Sequence, residues 1–257
     1  MNETKKIVTL PVAITLATSV AAVVALAEEG DGGPPAARPP TTSVGNPNEG
    51  KLVNGRRLPD RGEGFYSNPH GPNKEAKYGT DELIEAIARI GHDVEHMAPG
   101  ATLFVNDLGF QGGGVISHHQ SHQAGRDVDF LFYMTDTRGK TIRPRGVHFD
   151  GRGEGTWNGG TAGDTFDDVH VRFDTRRNWL VLRSLIENED ANLQRVFVSE
   201  GLRSLMLAHA ERSRQPLWVI ERASEVMCQP RAPHDDHFHI RLYCTAEDYA
   251  GGCRDTW

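Results

Sequence analysis

Two short stretches carry residue types that can do metal chemistry. Ser121-His122-Gln123-Ala124-Gly125-Arg126-Asp127-Val128-Asp129 lies mid-chain, and His234-Asp235-Asp236-His237-Phe238-His239-Ile240-Arg241-Leu242 lies near the C-terminus. Together they supply imidazoles and carboxylates, the donor set that a hydrolytic zinc site uses. A lone histidine on a strand is usually just a satisfied polar residue, and the chain holds 12 of them. Two clustered His/Asp motifs are a different signal, because several donors can then share one face.

The elements that position these donors read as strands. From His237 to Leu242, His237, His239 and Arg241 alternate with Phe238, Ile240 and Leu242. Successive strand side chains point to opposite faces, so this run has one apolar face and one imidazole-bearing face. After Gly125, Asp127, Asp129 and Leu131 alternate with Val128, Phe130 and Phe132. An adjacent pairing of the two strands would bring His239 and Asp129 together. Asp127, Asp235 and Asp236 are candidates for orienting an imidazole.

Other chemistries fit less well. His92-Asp93-Val94-Glu95-His96 matches the H-x-x-E-H pattern of some zinc peptidases. At about 100° per residue, however, His92 and His96 fall opposite the apolar stripe of their helix, on its solvated side. Ser117 and Ser121 neighbour histidines, but there is no G-x-S-x-G elbow. The run Gly112 to Gly114 lacks the Gly-Lys-Ser/Thr of a phosphate-binding loop.

Around these motifs the chain alternates helix and strand without a regular βαβ rhythm. A helix is expected over 80–97, with Leu83, Ile84, Ile87, Ile90, Val94 and Met97 inward. Further helices are expected over 175–188 and 200–212, the latter capped by Ser199. Strands are expected over 102–108 and 195–199, and a long Gly/Arg-rich surface loop over 139–163. This pattern predicts an α+β fold, one domain with a central antiparallel sheet and flanking helices.

The chain has 257 residues and a formal charge of −7, with no basic cluster outside the N-terminus. That excludes a phosphate-binding face for nucleic acid. Residues 1–27 read as an export signal: Lys5 and Lys6, an apolar run, then Ala25-Leu26-Ala27 before two glutamates. The run is long enough to serve as an uncleaved anchor, but either way the domain is exported. Residues 28–50 are rich in Gly and Pro and read as a linker, placing the folded domain at 51–257. Three cysteines in an exported chain suggest one disulfide. Cys244 and Cys253 close a short loop after the histidine strand, leaving Cys228 free.

The pattern Ser121-His122-Gln123-x-Gly125-x-Asp127-x-Asp129, followed by His234-x-x-His237-x-His239-x-Arg241-Leu242, resembles the penicillin-insensitive murein endopeptidases. Those enzymes belong to a zinc-peptidase group that includes D-Ala-D-Ala dipeptidases and hedgehog-like domains. The resemblance extends from about residue 65 to Cys253. It implies one zinc ion held by His122, Asp129 and His239 with water in the fourth position, and His237 or His234 as general base. It also points to a second metal constellation of His119 with Asp167 and His170. The implied substrate is the cross-linked peptide of peptidoglycan in the periplasm, cut at the D-alanyl–diaminopimelate bond. A carboxypeptidase or dipeptidase of the same group, or a non-enzymatic zinc-binding wall module, are the competing readings.

Overall fold

In chain order, the first elements are β1 (Thr42–Asn46), β2 (Glu49–Val53), β3 (Arg56–Arg57), β4 (Arg61–Gly62), β5 (Phe65–Ser67) and β6 (Tyr78–Gly79). Helix α1 (Asp81–Met97) and strands β7 (Leu103–Val105) and β8 (Asp127–Leu131) follow. Next come β9 (Met134–Asp136), β10 (Thr141–Ile142), β11 (Glu154–Trp157), β12 (Val169–Phe173) and α2 (Thr175–Glu187). The chain closes with β13 (Leu193–Phe197), α3 (Glu200–Arg212), α4 (Leu217–Val226), β14 (Met227–Cys228), β15 (His237–Leu242) and α5 (Ala246–Ala250). This computed structural model describes residues 38–70, 73–158 and 168–256. The expected export segment, most of the expected linker and Asp167 lie outside the described residues.

The main sheet has seven strands in the order β14-β13-β15-β8-β7-β5-β4. Its centre, β13-β15-β8-β7, is antiparallel, while β13–β14 and β5–β7 are parallel pairs. Helices α1 to α4 cover one side, with α2 packed on α1, α3 and α4. This is the expected α+β arrangement. The apolar core takes Phe65, Leu103, Val105, Val128, Phe130, Val196, Phe238 and Ile240 from the sheet, all from one set of alternating positions. The other set stays free to carry polar groups.

Helix α1 starts where the sequence places it. Thr80 accepts a hydrogen bond from the Leu83 amide, and Asp81 and Glu82 occupy the positive first turn. Both His92 and His96 are exposed, as the apolar stripe requires. Helix α3 departs from expectation in its cap. The Ser199 side chain makes no capping bond, and the Glu200 amide instead donates to Gln229 Oε1 at 2.7 Å.

Two boundaries differ from the sequence reading. The folded unit begins at Pro39 rather than Lys51, because β1 and β2 form a hairpin that begins within the expected linker and ends just past it, at Val53. Buried Arg126 holds that hairpin: its Nε donates to Ser43 Oγ at 3.0 Å, and its guanidinium also donates to the Leu242 carbonyl and Asp255. The Ser43 amide donates to Asp248 Oδ1 on α5. The expected loop over 139–163 also contains structure. Strands β10 and β11 join β9 and β12 in a second sheet of order β10-β9-β12-β11. Phe132, fully buried, ties the two sheets together through edge-on contacts with Phe149, Phe173 and Phe238. The expected bridge Cys244–Cys253 is formed and Cys228 is free.

Candidate metal centre

Strands β8 and β15 are antiparallel neighbours, with Asp127 opposite Arg241, Asp129 opposite His239 and Leu131 opposite His237. Directly opposed residues point to the same side of a sheet. These side chains therefore gather on the face turned away from the helices. The segment between β7 and β8 folds over that face and adds His119 and His122. His122 adopts a left-handed backbone, φ +68°, uncommon for a residue with a side chain. Gly125 also has positive φ, and a Cβ there would stand 2.7 Å from a Leu52 methyl, so the turn into β8 needs glycine.

Four imidazoles surround Asp129, and each is held by its far nitrogen. His122 donates from Nδ1 to the Leu108 carbonyl at 2.9 Å, leaving Nε2 3.3 Å from Asp129 Oδ1. His239 donates from Nε2 to Asp127 Oδ1 at 2.8 Å, leaving Nδ1 3.7 Å from Asp129 Oδ1. His237 pairs Nδ1 with Asp236 at 2.7 Å and turns Nε2 to Asp129 at 3.6 Å. His119 pairs Nε2 with Asp107 at 2.9 Å and turns Nδ1 to Asp129 Oδ2 at 3.6 Å.

This pattern fits a cation. His122 Nε2 and Asp129 Oδ1 are both buried and without a hydrogen-bond partner, because their 3.3 Å approach lacks hydrogen-bond alignment. Facing buried lone pairs are costly unless something electropositive lies between them. Imidazole and carboxylate donors whose far atoms are fixed by carbonyls and carboxylates are the usual surroundings of bound zinc. His119, His122 and Asp129 each offer a ligand atom within 4.8 Å of the others.

The sequence profile of the penicillin-insensitive murein endopeptidases matches residues 43–256. The chain belongs to this family. A penicillin-insensitive murein endopeptidase of Haemophilus influenzae is 27% identical over 208 residues, covering 79% of this chain and 64% of the relative. One of Klebsiella pneumoniae subsp. pneumoniae is 24% identical over 208 residues, with 79% and 67% covered. One of Escherichia coli O139:H28 is 23% identical over 209 residues, with 80% and 67% covered. The chain thus spans 64% to 67% of the length of these curated relatives.

Electrostatics keep this murein endopeptidase family centre anionic at its heart. Burial pushes the Asp127 carboxyl up, but the Arg241 guanidinium and His239 hold it well below the usual carboxylate range. Burial likewise opposes ionisation of Asp129, and His237, His122 and His239 overcome it. Burial lowers the His122 ring, yet the carboxylates of Asp129, Asp127 and Asp107 bring it above the ordinary histidine value. Burial and neighbouring His122 push His239 down to about 4. Burial also lowers His237, but Asp129 and Asp236 raise it to about 9. His234, whose Nδ1 donates to the Ala232 carbonyl at 2.9 Å, is lowered chiefly by burial. Its ring stands 5.1 Å from that of His237 and 5.5 Å from that of His239.

Of the three aspartates expected to orient an imidazole, Asp127 pairs with His239 and Asp236 with His237, whereas Asp235 pairs with exposed His148, outside the cluster, at 2.6 Å. Ser121 Oγ lies 3.4 Å from His239, but on Nε2, the nitrogen already bound to Asp127. A nucleophilic triad needs serine and carboxylate on opposite ring nitrogens, so these residues do not form one. His119 joins the main cluster rather than a separate constellation. His170 sits exposed on β12, its Nδ1 3.2 Å from Thr156 Oγ1.

Asp107 escaped the sequence reading. It follows β7 directly, where no motif marks it, and binds both His119 and Asn73. His148 also escaped, being a single histidine in the expected loop. Beside the cluster, a cavity of about 650 Å³ is lined by His234, His239, Phe197, Arg231 and Cys228.

Proposed function

We propose that this protein is an exported zinc endopeptidase that hydrolyses the peptide cross-links of peptidoglycan at the D-alanyl–diaminopimelate bond in the periplasm. The observation that carries the reading is the cluster of imidazoles turned toward Asp129, each with its other nitrogen tied down. Family membership supplies the reaction class, since the related proteins are named penicillin-insensitive murein endopeptidases.

In this reading His122, Asp129 and His239 hold the metal, and His119 is the further donor beside them. Bound zinc supplies Lewis-acid activation of water and of a peptide carbonyl at neutral pH. The remaining work belongs to the chain. The Leu108 carbonyl and Asp127 fix the tautomers of His122 and His239, so that lone pairs rather than N–H groups face the centre. Arg241 donates to Asp127 at 2.7 Å and keeps it ionised for that task. His237, oriented by Asp236, and His234, oriented by the Ala232 carbonyl, are the proton-handling groups. One takes a proton from the attacking water, and a proton is then delivered to the leaving amine. No acyl-enzyme on serine is needed, which accounts for indifference to penicillin.

Export rests on the N-terminal signal in the sequence. Among the described residues no helix is long and apolar enough to cross a membrane.

The test is muropeptide profiling. Purified protein with zinc should convert cross-linked dimers into monomers, and a chelator should stop this until zinc is restored. Survival of dimers while another D,D-peptide is cut would favour a carboxypeptidase or dipeptidase. Zinc uptake with no hydrolysis of any muropeptide would favour a binding module.

A further inference from the structure

The polar face of the main sheet continues beyond the cluster. On β7, Phe104 is opposite Leu131, and on β5, Tyr66 is opposite Phe104. Arg61 on β4 is in turn opposite Tyr66. By strand pairing, Arg61, Tyr66, Phe104 and Leu131 therefore share one face with Asp129, His237 and His239. The core confirms it, since Phe65, Leu103 and Val105 join the apolar cluster while Tyr66 and Phe104 do not.

Arg61, Tyr66 and Phe104 line a cavity of about 500 Å³ with Tyr133, Ile142 and Arg143. Its floor is the tilted pair Tyr66–Phe104, ring centroids 5.0 Å apart. Two guanidiniums lie over that floor. Arg61 stands 4.5 Å from the Tyr66 ring centre, and Arg143 stands 4.8 Å from the Phe104 ring and 5.6 Å from the Tyr66 ring. Among the described residues no carboxylate pairs with either arginine, whereas Arg56, Arg57, Arg89 and Arg241 each have one. Two exposed guanidiniums stacked on neighbouring rings, with no hydrogen-bond acceptor on them among the described residues, suit a bidentate anion.

Distance makes this cavity part of the substrate path. Phe104 is one strand and one same-face step from Asp129, and Tyr66 one strand further, which places them roughly 8–12 Å from Asp129 by sheet spacing. An extended peptide covers that in about two to four residues. The other cavity, beside Phe197 and His234, lies across the centre, where β13 and β15 continue the same face. The cluster therefore sits between two cavities, as hydrolysis of a bond with peptide on both sides requires.

We propose that Arg61 and Arg143, held over Tyr66 and Phe104, form a subsite for a free carboxylate on the peptide stem lying to one side of the hydrolysed bond. The chemical class of the ligand is a short carboxylate-rich peptide. Its assignment to a murein stem rests on the function proposed above.

The experiment is calorimetric binding to the purified protein, which needs no turnover. The probes are an uncross-linked stem tetrapeptide with free carboxylates and the same peptide with its carboxylates amidated. The acid form should bind at least about tenfold more tightly, as expected for charge-assisted hydrogen bonds, and the preference should shrink as salt rises. The double variant Arg61→Gln/Arg143→Gln should lose the preference, and each single variant should lose part of it. Arg138→Gln, an exposed arginine on the β9–β10 turn, should keep it. Equal affinity of the wild type for acid and amide, binding of neither, or a preference that survives in the folded double variant would overturn the proposal. Cleavage of cross-linked dimers is scored separately. Its absence would remove the murein reading, while the acid-over-amide preference would still decide the subsite.

Discussion

His239 and Asp129 are direct cross-strand partners on β15 and β8, and the imidazole Nδ1 stands 3.7 Å from the carboxylate Oδ1. Residues from two distant motifs are thereby fixed by the hydrogen bonds of one strand pair, not by loops. A site on such a pair is positioned by the sheet itself, and its neighbours are fixed by the pleat: Arg241 falls opposite Asp127 and His237 opposite Leu131.

Two substitutions on β15 separate holding the metal from using it. His239→Ala should lower zinc affinity by more than about 10²-fold, exceeding the loss of an outer partner, and abolish turnover with it. His237→Ala should retain zinc and lose about 10²–10⁴ of the rate, the usual contribution of a proton-transfer group. Metal content and dimer cleavage, measured on both, check the division. Zinc retained in His239→Ala would refute the ligand assignment.

Asp127→Asn tests the support beneath the site. Asp127 is fully buried and accepts from both His239 and Arg241. Without its charge, buried Arg241 is unpaired, and stability should fall by about 3–5 kcal/mol. Zinc affinity should also drop about 10–100-fold through the lost orientation of His239. Denaturant titration and zinc competition read the two effects separately.

The Cys244–Cys253 bridge spans a sequence separation of 9 and closes the segment that carries α5. A loop of that length corresponds to about 2–3 kcal/mol of unfolded-state entropy. The double variant Cys244→Ser/Cys253→Ser should therefore lose about that stability while keeping zinc, because none of the metal donors lies on the loop. Thermal denaturation with and without reductant is the measurement.

Asp93 on α1 accepts from Ser184 Oγ on α2 at 2.8 Å and from Arg89 at 2.9 Å. Burial opposes its ionisation, but these donors hold it below the ordinary carboxylate value of 3.8. A depressed carboxyl stabilises the fold above its unfolded value and loses that contribution as pH falls through the folded one. Asp93→Asn should therefore be less stable than wild type at neutral pH, and the two should converge toward pH 2. A constant difference across that range would show that Asp93 acts through packing instead.

Much of this is legible in the sequence alone. The alternation in 237–242 marks a strand with one imidazole face because period two is visible in the residues themselves. The stripe from Leu83 to Val94 marks α1, and the same stripe disposes of His92 and His96. The hairpin of β1 and β2 was not legible. Its Gly- and Pro-rich surroundings read as linker, and what holds it is Arg126 and Asp248, whose partners cannot be seen locally. Strands β10 and β11 are hidden for another reason: they are only two and four residues long, and their Gly- and Arg-rich surroundings carry no clear alternation.

The sequence by itself determined the donor types, their face on each strand, the helices that bury the opposite face and the disulfide that follows. Those properties depend on short-range periodicity and chemistry. Only the tertiary structure decided that β8 and β15 pair in the register that sets His239 against Asp129. It alone showed that Asp107 and the Leu108 carbonyl orient His119 and His122, and that Arg61 and Arg143 lie on the same face as the His/Asp cluster. Register and convergence depend on contacts between distant segments, and the free energy of those contacts is distributed over the whole core.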